Sequence, residues 1–169
     1  EGRFQEHWYR LVAAELAWGR TLLDVGAASG YGLAIYGEAG ALDTAGIDPL
    51  PLGPRVQAIP VESIPAGSWD VVTAIDVIEH VEDDRAFLAN LLRVARAFVF
   101  LSTPNWNVSR AVNPLHAREY TPEELVALLA GFRRRVWTSG TECIPVECLD
   151  GLVPGMEDLN FGVLIEVPA

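Results

Sequence analysis

The segment Leu22-Leu23-Asp24-Val25-Gly26-Ala27-Ala28-Ser29-Gly30-Tyr31-Gly32 constrains this chain most. An apolar strand runs directly into small residues at alternate positions, Gly26, Ala28 and Gly30, as it does where a ligand approaches the backbone closely and glycine permits positive φ. Residues larger than alanine at those positions are expected to project into the space of a nucleoside. The following run, Tyr31 to Ala39, is expected to form a helix whose first amides face the same space. A dinucleotide fingerprint would place a third glycine at the sixth position, where this chain has Tyr31.

Asp43 to Pro49 reads as a second short strand ending at Asp48, where a doubly wound domain places a carboxylate against ribose hydroxyls. The remaining elements follow from periodicity. Phe4 to Trp18 is an amphipathic opening helix, and Leu22 to Ala27 is the first strand. Val56 to Ile59, Trp69 to Ile75, Ala97 to Leu101, Arg134 to Thr138 and Val163 to Val167 are further strands. Asp83 to Arg93 is helical, with acidic residues at its positive end. Thr121-Pro122-Glu123-Glu124 is a helix start with a capping box and proline at the first position. The expected fold is therefore α/β: one Rossmann-like doubly wound domain over residues 1–169, with a seven-stranded sheet and helices on both faces. It is reduced between strands 2 and 3, because Pro49 to Pro54 leaves no room for a helix.

Composition narrows the partners. The net charge of −11 repels phosphate backbones, so a nucleic-acid acceptor is not expected. The run Arg133-Arg134-Arg135, alternating into Val136 and Trp137, reads as a half-exposed strand rather than a phosphate contact. All 12 basic residues are arginine, which excludes lysine Schiff-base chemistry. Cys143 and Cys148 fit neither a disulfide framework nor a zinc site and read as ordinary thiols. No apolar run is long enough to span a bilayer, and an amino end carrying Glu1 and Glu6 is not a secretory signal, so a cytoplasmic location is expected.

The pattern Asp24-x-Gly26-x-Ala28-x-Gly30 resembles the first motif of class I S-adenosylmethionine-dependent methyltransferases. The resemblance implies S-adenosylmethionine as cofactor, a reversed last strand, and Asp24 facing the cationic methionine end. With Asp48 on the ribose, the adenine falls near Ile59 to Pro65. Many relatives place an aspartate there, where this chain has Pro60, leaving the Val61 backbone or Glu62 as substitutes. The catalytic lysine of catechol-type enzymes is excluded with the other lysines.

A second block, Trp69 to Val81, ends a buried strand in ionisable residues at the sheet edge where open α/β folds bind ligands. Ile75 and Asp76 are its cofactor-side residues. With Leu101-Ser102-Thr103-Pro104-Asn105 and Leu115-His116-Ala117-Arg118-Glu119-Tyr120-Thr121, it resembles the branch containing ubiquinone-biosynthesis O-methyltransferases and glycan and natural-product methyltransferases. Asp76, Glu79 and His80 stand at i, i+3 and i+4, so one helical turn would bring them together. With His116 they form a candidate divalent-metal set, for Mg²⁺ or Mn²⁺ above all, resembling the Glu-x-x-Glu-His and distant His of small-RNA 2′-O-methyltransferases. Asp76 replaces the first glutamate. The alternative is that Asp76 and Glu79 are loop and cap residues and that His116 packs under the capped helix.

The expected reaction is O-methylation of a small-molecule or glycan hydroxyl, with His80 and His116 as candidate bases, since imidazole titrates nearest neutral pH. If a metal binds, it would activate the hydroxyl and leave the histidines as ligands. His7 either covers the cofactor or sits exposed. Ile144 to Gly162 reads as an irregular loop which, with the opening helix, selects the acceptor. Trp106, Tyr120, Trp137 and Phe161 are candidate stacking platforms, though core positions are the commoner use of such residues. Two alternatives remain: a metal-dependent RNA 2′-O-methyltransferase, and a non-catalytic S-adenosylmethionine-binding or interaction domain.

Overall fold

The computed structural model describes residues 3–168; Glu1 lies outside them. The element order is α1 (Arg3–Val12), β1 (Thr21–Val25), α2 (Tyr31–Glu38), β2 (Asp43–Ile47), β3 (Val56–Gln57), β4 (Trp69–Ile75), α3 (Asp84–Val94), β5 (Ala95–Pro104), α4 (Trp106–Ser109), α5 (Pro122–Leu128), β6 (Arg134–Ser139), β7 (Pro145–Glu147) and β8 (Asn160–Glu166). A π-helical turn, Ala13–Ala17, extends α1.

The strands form one eight-stranded sheet in the order β3-β2-β1-β4-β5-β8-β6-β7. β1 pairs in parallel with β2 and β4, and β4 with β5, whereas β8 runs antiparallel between β5 and β6. The reversed last strand is thus present. No helix separates β2 from β3 among the described residues.

Strand alternation divides the core between the two faces of the sheet. Leu22, Val71, Ile75, Phe100 and Leu164 pack with Trp8, Tyr9 and Val12 of α1 and Ile35 and Tyr36 of α2. Leu23, Val25, Val72, Ala74 and Val99 pack with Phe87, Leu88 and Leu91 of α3 and Leu125 and Leu128 of α5. The helix starts are those expected. The Asp83 side chain accepts from the Ala86 amide at 2.9 Å, and Thr121 and Glu124 complete a capping box with Pro122 in the first turn.

The eighth strand is the departure from the expected seven. Pro145–Glu147 lies in the stretch expected to be irregular and has no buried alternation to signal it. Its ladder to β6 and a two-pronged pair hold it, with Arg135 Nε and Nη2 donating to Glu147 at 2.7 and 3.0 Å. Two other elements lacked a sequence signal, the single turn α4 and a 3₁₀ turn at Val61–Ser63, while Ile78–His80 coils as a 3₁₀ turn within the stretch considered for one helical turn.

Gly32 allows α1 to meet α2. A Cβ built there lies 2.0 Å from Tyr9 Cε1. Gly32→Ala should lower stability by about 1–3 kcal/mol in denaturant unfolding, since overpacking outweighs the gain of about 1 kcal/mol in helix propensity.

Candidate functional site

Two cavities meet at Gly26, on the carboxyl edge of β1 and β2. One, of about 250 Å³, is bordered by Gln5, Tyr9, Gly26 to Ser29, Tyr31 and Leu52. The other, of about 220 Å³, is mostly apolar; Ile47, Ile59, Pro60, Val61, Val77 and Phe87 are among its walls, with Asp48 and Glu62 at its polar margin. Asp48 Oδ2 accepts from the Ala28 amide at 2.9 Å and Oδ1 from the Leu50 amide at 2.7 Å, so its carboxylate is oriented before any ligand arrives. The second, an apolar slot beside a fixed carboxylate, suits a purine nucleoside, and the first, lined by the turn, suits a short polar extension from it.

The small residues of the turn have a partly different purpose from the one their spacing suggests. Gly26, Ala28 and Gly30 all adopt positive φ, at 78°, 45° and 73°. A Cβ at Gly26 would lie 2.4 Å from Val77 Cγ2, so glycine is required there by the turn and by Val77 as well as by the cleft. Gly30 is the left-handed residue that opens α2.

Asp24 does not face the cleft. It is fully buried on the α1/α2 face of the sheet, where Tyr9 Oη donates to Oδ2 at 3.0 Å and Thr73 Oγ1 to Oδ1 at 2.7 Å. Alternation along β1 turns Asp24 toward these helices, and Tyr9, a wall of the larger cavity, stands between. Burial pushes the Asp24 carboxyl up to about 7, outweighing the two hydrogen bonds that favour its charged form. Of the other cofactor candidates, Gly26, Ala28, Asp48, Val61 and Glu62 border the cavities, while Ile75 is buried in the β4 core. The Val61 carbonyl already accepts from Arg93, and Glu62 Oε1 from Asn90.

Beyond the cleft, the ends of β4 and β5 gather the ionisable residues. Residues 76 to 80 do not form one helical turn: Asp76 takes a left-handed φ of 53°, and only Ile78–His80 coils. That turn of the backbone sends Asp76 to β5 and β8. Ser102 Oγ donates to its Oδ1 at 2.5 Å and Asn160 Nδ2 at 3.4 Å. Asp76 is therefore not part of the metal-type cluster, which consists of Glu79, His80 and His116, with ligand atoms within 4.8 Å of one another. Burial raises the Asp76 carboxyl despite its hydrogen bonds. Glu79 is fully buried, neither carboxyl oxygen has a hydrogen-bond partner among the described residues, and burial followed by the Asp76 charge pushes it up to about 9.

Two hydrogen bonds bind the segment after α4 to this turn. The Arg118 amide donates to the Glu79 carbonyl at 3.1 Å, and His80 Nδ1 meets the Leu115 carbonyl at 3.0 Å. A carbonyl only accepts, so Nδ1 of His80 carries the proton and Nε2 the lone pair. The imidazoles of His80 and His116 stand edge to face, 4.8 Å between centroids. Glu119 and Asn113, to which the sequence assigned no role, hold the His116 ring. Its Nδ1 lies 2.5 Å from Glu119 Oε1, and its Nε2 lies 2.8 Å from Asn113 Nδ2. The i, i+3 spacing of His116 and Glu119 was the available signal.

Other sequence candidates fall away from the site. His7 is half-buried against Trp8, neither ring nitrogen is bonded among the described residues, and burial lowers its pKa. Tyr120, Trp137 and Phe161 are core, and only Trp106 stays partly accessible, with the Arg110 guanidinium stacked 4.4 Å from its ring centre. In the arginine run, Arg133 pairs with Glu166 and Arg135 with Glu15 and Glu147, while Arg134 donates to the Leu129 and Phe132 carbonyls. Cys143 and Cys148 are free thiols. No helix among the described residues is long and apolar enough to cross a membrane.

A mostly parallel sheet whose last strand is reversed, with a glycine turn and an oriented carboxylate at one edge, defines an open α/β nucleoside-binding domain. The chain belongs to the methyltransferase-domain family, which it matches over residues 3–137, and within it to the class I S-adenosylmethionine-dependent enzymes. It is 32% identical over 154 residues to a probable S-adenosylmethionine-dependent methyltransferase of Mycobacterium tuberculosis, covering 76% of this chain and 56% of that protein. A ubiquinone biosynthesis O-methyltransferase of Bordetella avium is 31% identical over 132 residues, covering 67% of this chain and 54% of its own length. The chain thus spans about half the length of these curated relatives. Among solved structures, the YcgJ protein of Bacillus subtilis superposes with a TM-score of 0.72 at 14% identity, covering 97% of this chain and 99% of that one. That likeness concerns the fold.

The Asp24 environment yields a pH prediction. Its folded pKa of about 7 lies above the ordinary 3.8, so the folded state holds a proton the unfolded state releases. Its contribution to stability is present below about pH 4 and is lost as pH rises through about 7. Denaturant unfolding across that range should show wild type losing stability relative to Asp24→Asn, by no more than about 1.4 kcal/mol per pH unit, with a level difference above it.

Proposed function

We propose that this chain acts as a single domain that transfers the methyl group of S-adenosylmethionine to a hydroxyl of a small-molecule or glycan acceptor, in the cytoplasm. S-adenosylmethionine, when bound, supplies an electrophilic methyl group on a cationic sulfur. Asp48 would hold its ribose, the apolar walls from Ile59 to Val61 and Phe87 its adenine, and Gly26 to Ser29 with Tyr9 and Gln5 its methionine portion. The single observation that carries the acceptor reading is the His80–His116 pair. Two imidazoles stand at the carboxyl edge, each with Nδ1 anchored, so that Nε2 of each is the basic nitrogen. Either can take the proton of a hydroxyl, a contribution typically of 10²–10⁴ in rate.

The acidity of the chain and the pairing of its arginine run favour a small acceptor over RNA. The name of the Bordetella avium relative, an O-methyltransferase, supports oxygen as the methylated atom. A divalent ion is a second reading, favoured by one observation: Glu79, His80 and His116 converge, and the Glu79 carboxyl is buried without a hydrogen-bond partner among the described residues. In that reading the ion, not an imidazole, lowers the pKa of the acceptor hydroxyl.

Calorimetric titration with S-adenosylhomocysteine tests the cofactor assignment: micromolar one-to-one binding is expected, weakened about tenfold or more by Asp48→Ala through loss of a charged hydrogen-bond acceptor. Absence of binding would overturn it. Turnover on a panel of phenolic, catecholic and glycosidic hydroxyls should fall by about 10²-fold or more in His116→Ala with cofactor affinity unchanged. Running both assays in EDTA and then with Mn²⁺ decides the second reading, which requires Mn²⁺-dependent heat that Glu79→Gln abolishes.

A further inference from the structure

Glu119 has three hydrogen-bond partners at the carboxyl edge, although neither of the two cavities at Gly26 nor the converging ligand set includes it. It is 5% exposed. Its Oε2 accepts from the Ser109 hydroxyl and, at 2.8 Å, from the Ala111 amide, while Oε1 faces His116 Nδ1. A carboxylate bonded in this way accepts from Nδ1–H, which leaves the His116 lone pair on Nε2.

The opposite side of the ring gives the same tautomer independently. The Asn113 Oδ1 accepts from the Leu115 amide at 3.0 Å, which fixes the orientation of the Asn113 side chain and turns its NH₂ group to His116 Nε2 at 2.8 Å. An amide nitrogen only donates, so Nε2 accepts. Asn113 is itself exposed and sits on a turn where Arg110 and Ala111 have φ of 51° and 53°. Val112 and Leu115 on either side are 83% and 75% exposed, so little packing opposes displacement of this turn.

We infer that Glu119 is a positioning residue that holds His116 with its Nε2 lone pair toward the acceptor, and that the Asn113 amide occupies on that nitrogen the place of the acceptor's own donor group. The inference rests on the reading of His116 as the base for methyl transfer. Acceptor binding then exchanges an N–H donor for an O–H donor. The proton passes from the acceptor oxygen to Nε2, the O–H electron pair remains on oxygen for the new O–C bond, the methyl–sulfur bond breaks with its electron pair left on sulfur as the departing neutral thioether, and the imidazolium so formed faces the Glu119 carboxylate, which offsets its charge. An acceptor must accordingly present a neutral donor at its reacting atom.

The test combines ¹⁵N-resolved imidazole spectra of the full chain, at a pH above the imidazole range, with kinetics on the best acceptor of the hydroxyl panel. Wild type should show His116 as the Nδ1–H tautomer, and Asn113→Ala should move its Nε2 resonance toward that of an unbonded lone pair. Glu119→Gln should weaken the tautomer preference, which the Asn113 amide alone then supports, and reduce kcat by tenfold or more at nearly unchanged KM and unchanged S-adenosylhomocysteine affinity. Glu119→Asp should restore part of that loss. An Nε2–H tautomer in wild type, an unmoved resonance in Asn113→Ala, or full kcat in Glu119→Gln would overturn the inference. Full activity in His116→Ala would instead remove the base reading beneath it. Should Glu119→Gln not fold, the wild-type and Asn113→Ala spectra decide alone.

Discussion

The parallel register of β1, β2, β4 and β5 is the constraint from which the rest follows. Because Asp24 stands opposite both Gly46 and Thr73, and Ile75 opposite Ser102, these strands end at one edge, and each hands its next residues to the same side of the sheet. The glycine turn follows β1, Asp48 follows β2, the Glu79–His80 turn follows β4 and Asn105 follows β5. β8 enters that edge from the opposite direction, so its first residue, Asn160, reaches Asp76 from a strand that ends elsewhere.

Asn105 organises the histidine side of this edge. Its Nδ2 donates to the Met156 and Asp158 carbonyls, both at 2.9 Å, and its Oδ1 accepts from the Asn107 amide to start α4. One buried side chain thus fixes the loop before β8 and the segment that carries His116. On the glycine-turn side Tyr9 has the corresponding place, joining α1 to Asp24 and, over Gly32, to α2.

The sequence made most of the fold legible because its signals are local. The strongly apolar run of Trp69 to Ile75, the capping box at Thr121 and the carboxylate at Asp48 need nothing beyond their neighbours to be understood. Three features needed tertiary information. Asp24 has the same motif position whether it faces the cleft or the helices, and only the docking of Tyr9 decides between them. The i, i+3, i+4 spacing of Asp76, Glu79 and His80 suggests one face only if the backbone is helical, and the left-handed φ at Asp76 breaks that premise. The strand Pro145–Glu147 depends on Arg135, a residue in another strand. Glu119 was visible beside His116, but its partner Ser109 and the cap Asn113 become neighbours through α4, which has no sequence signature.

The two outermost strands are also the two shortest in the sheet: β3 has two residues and β7 three. A neighbouring chain seeking to add a strand would find too few unpaired backbone groups in line to form a ladder, and at the β7 side it would also meet the Arg135–Glu147 charge pair. An eight-stranded sheet with such ends stops growing by its own geometry, which lets the chain keep a largely hydrophobic composition without offering its edges as a template for aggregation.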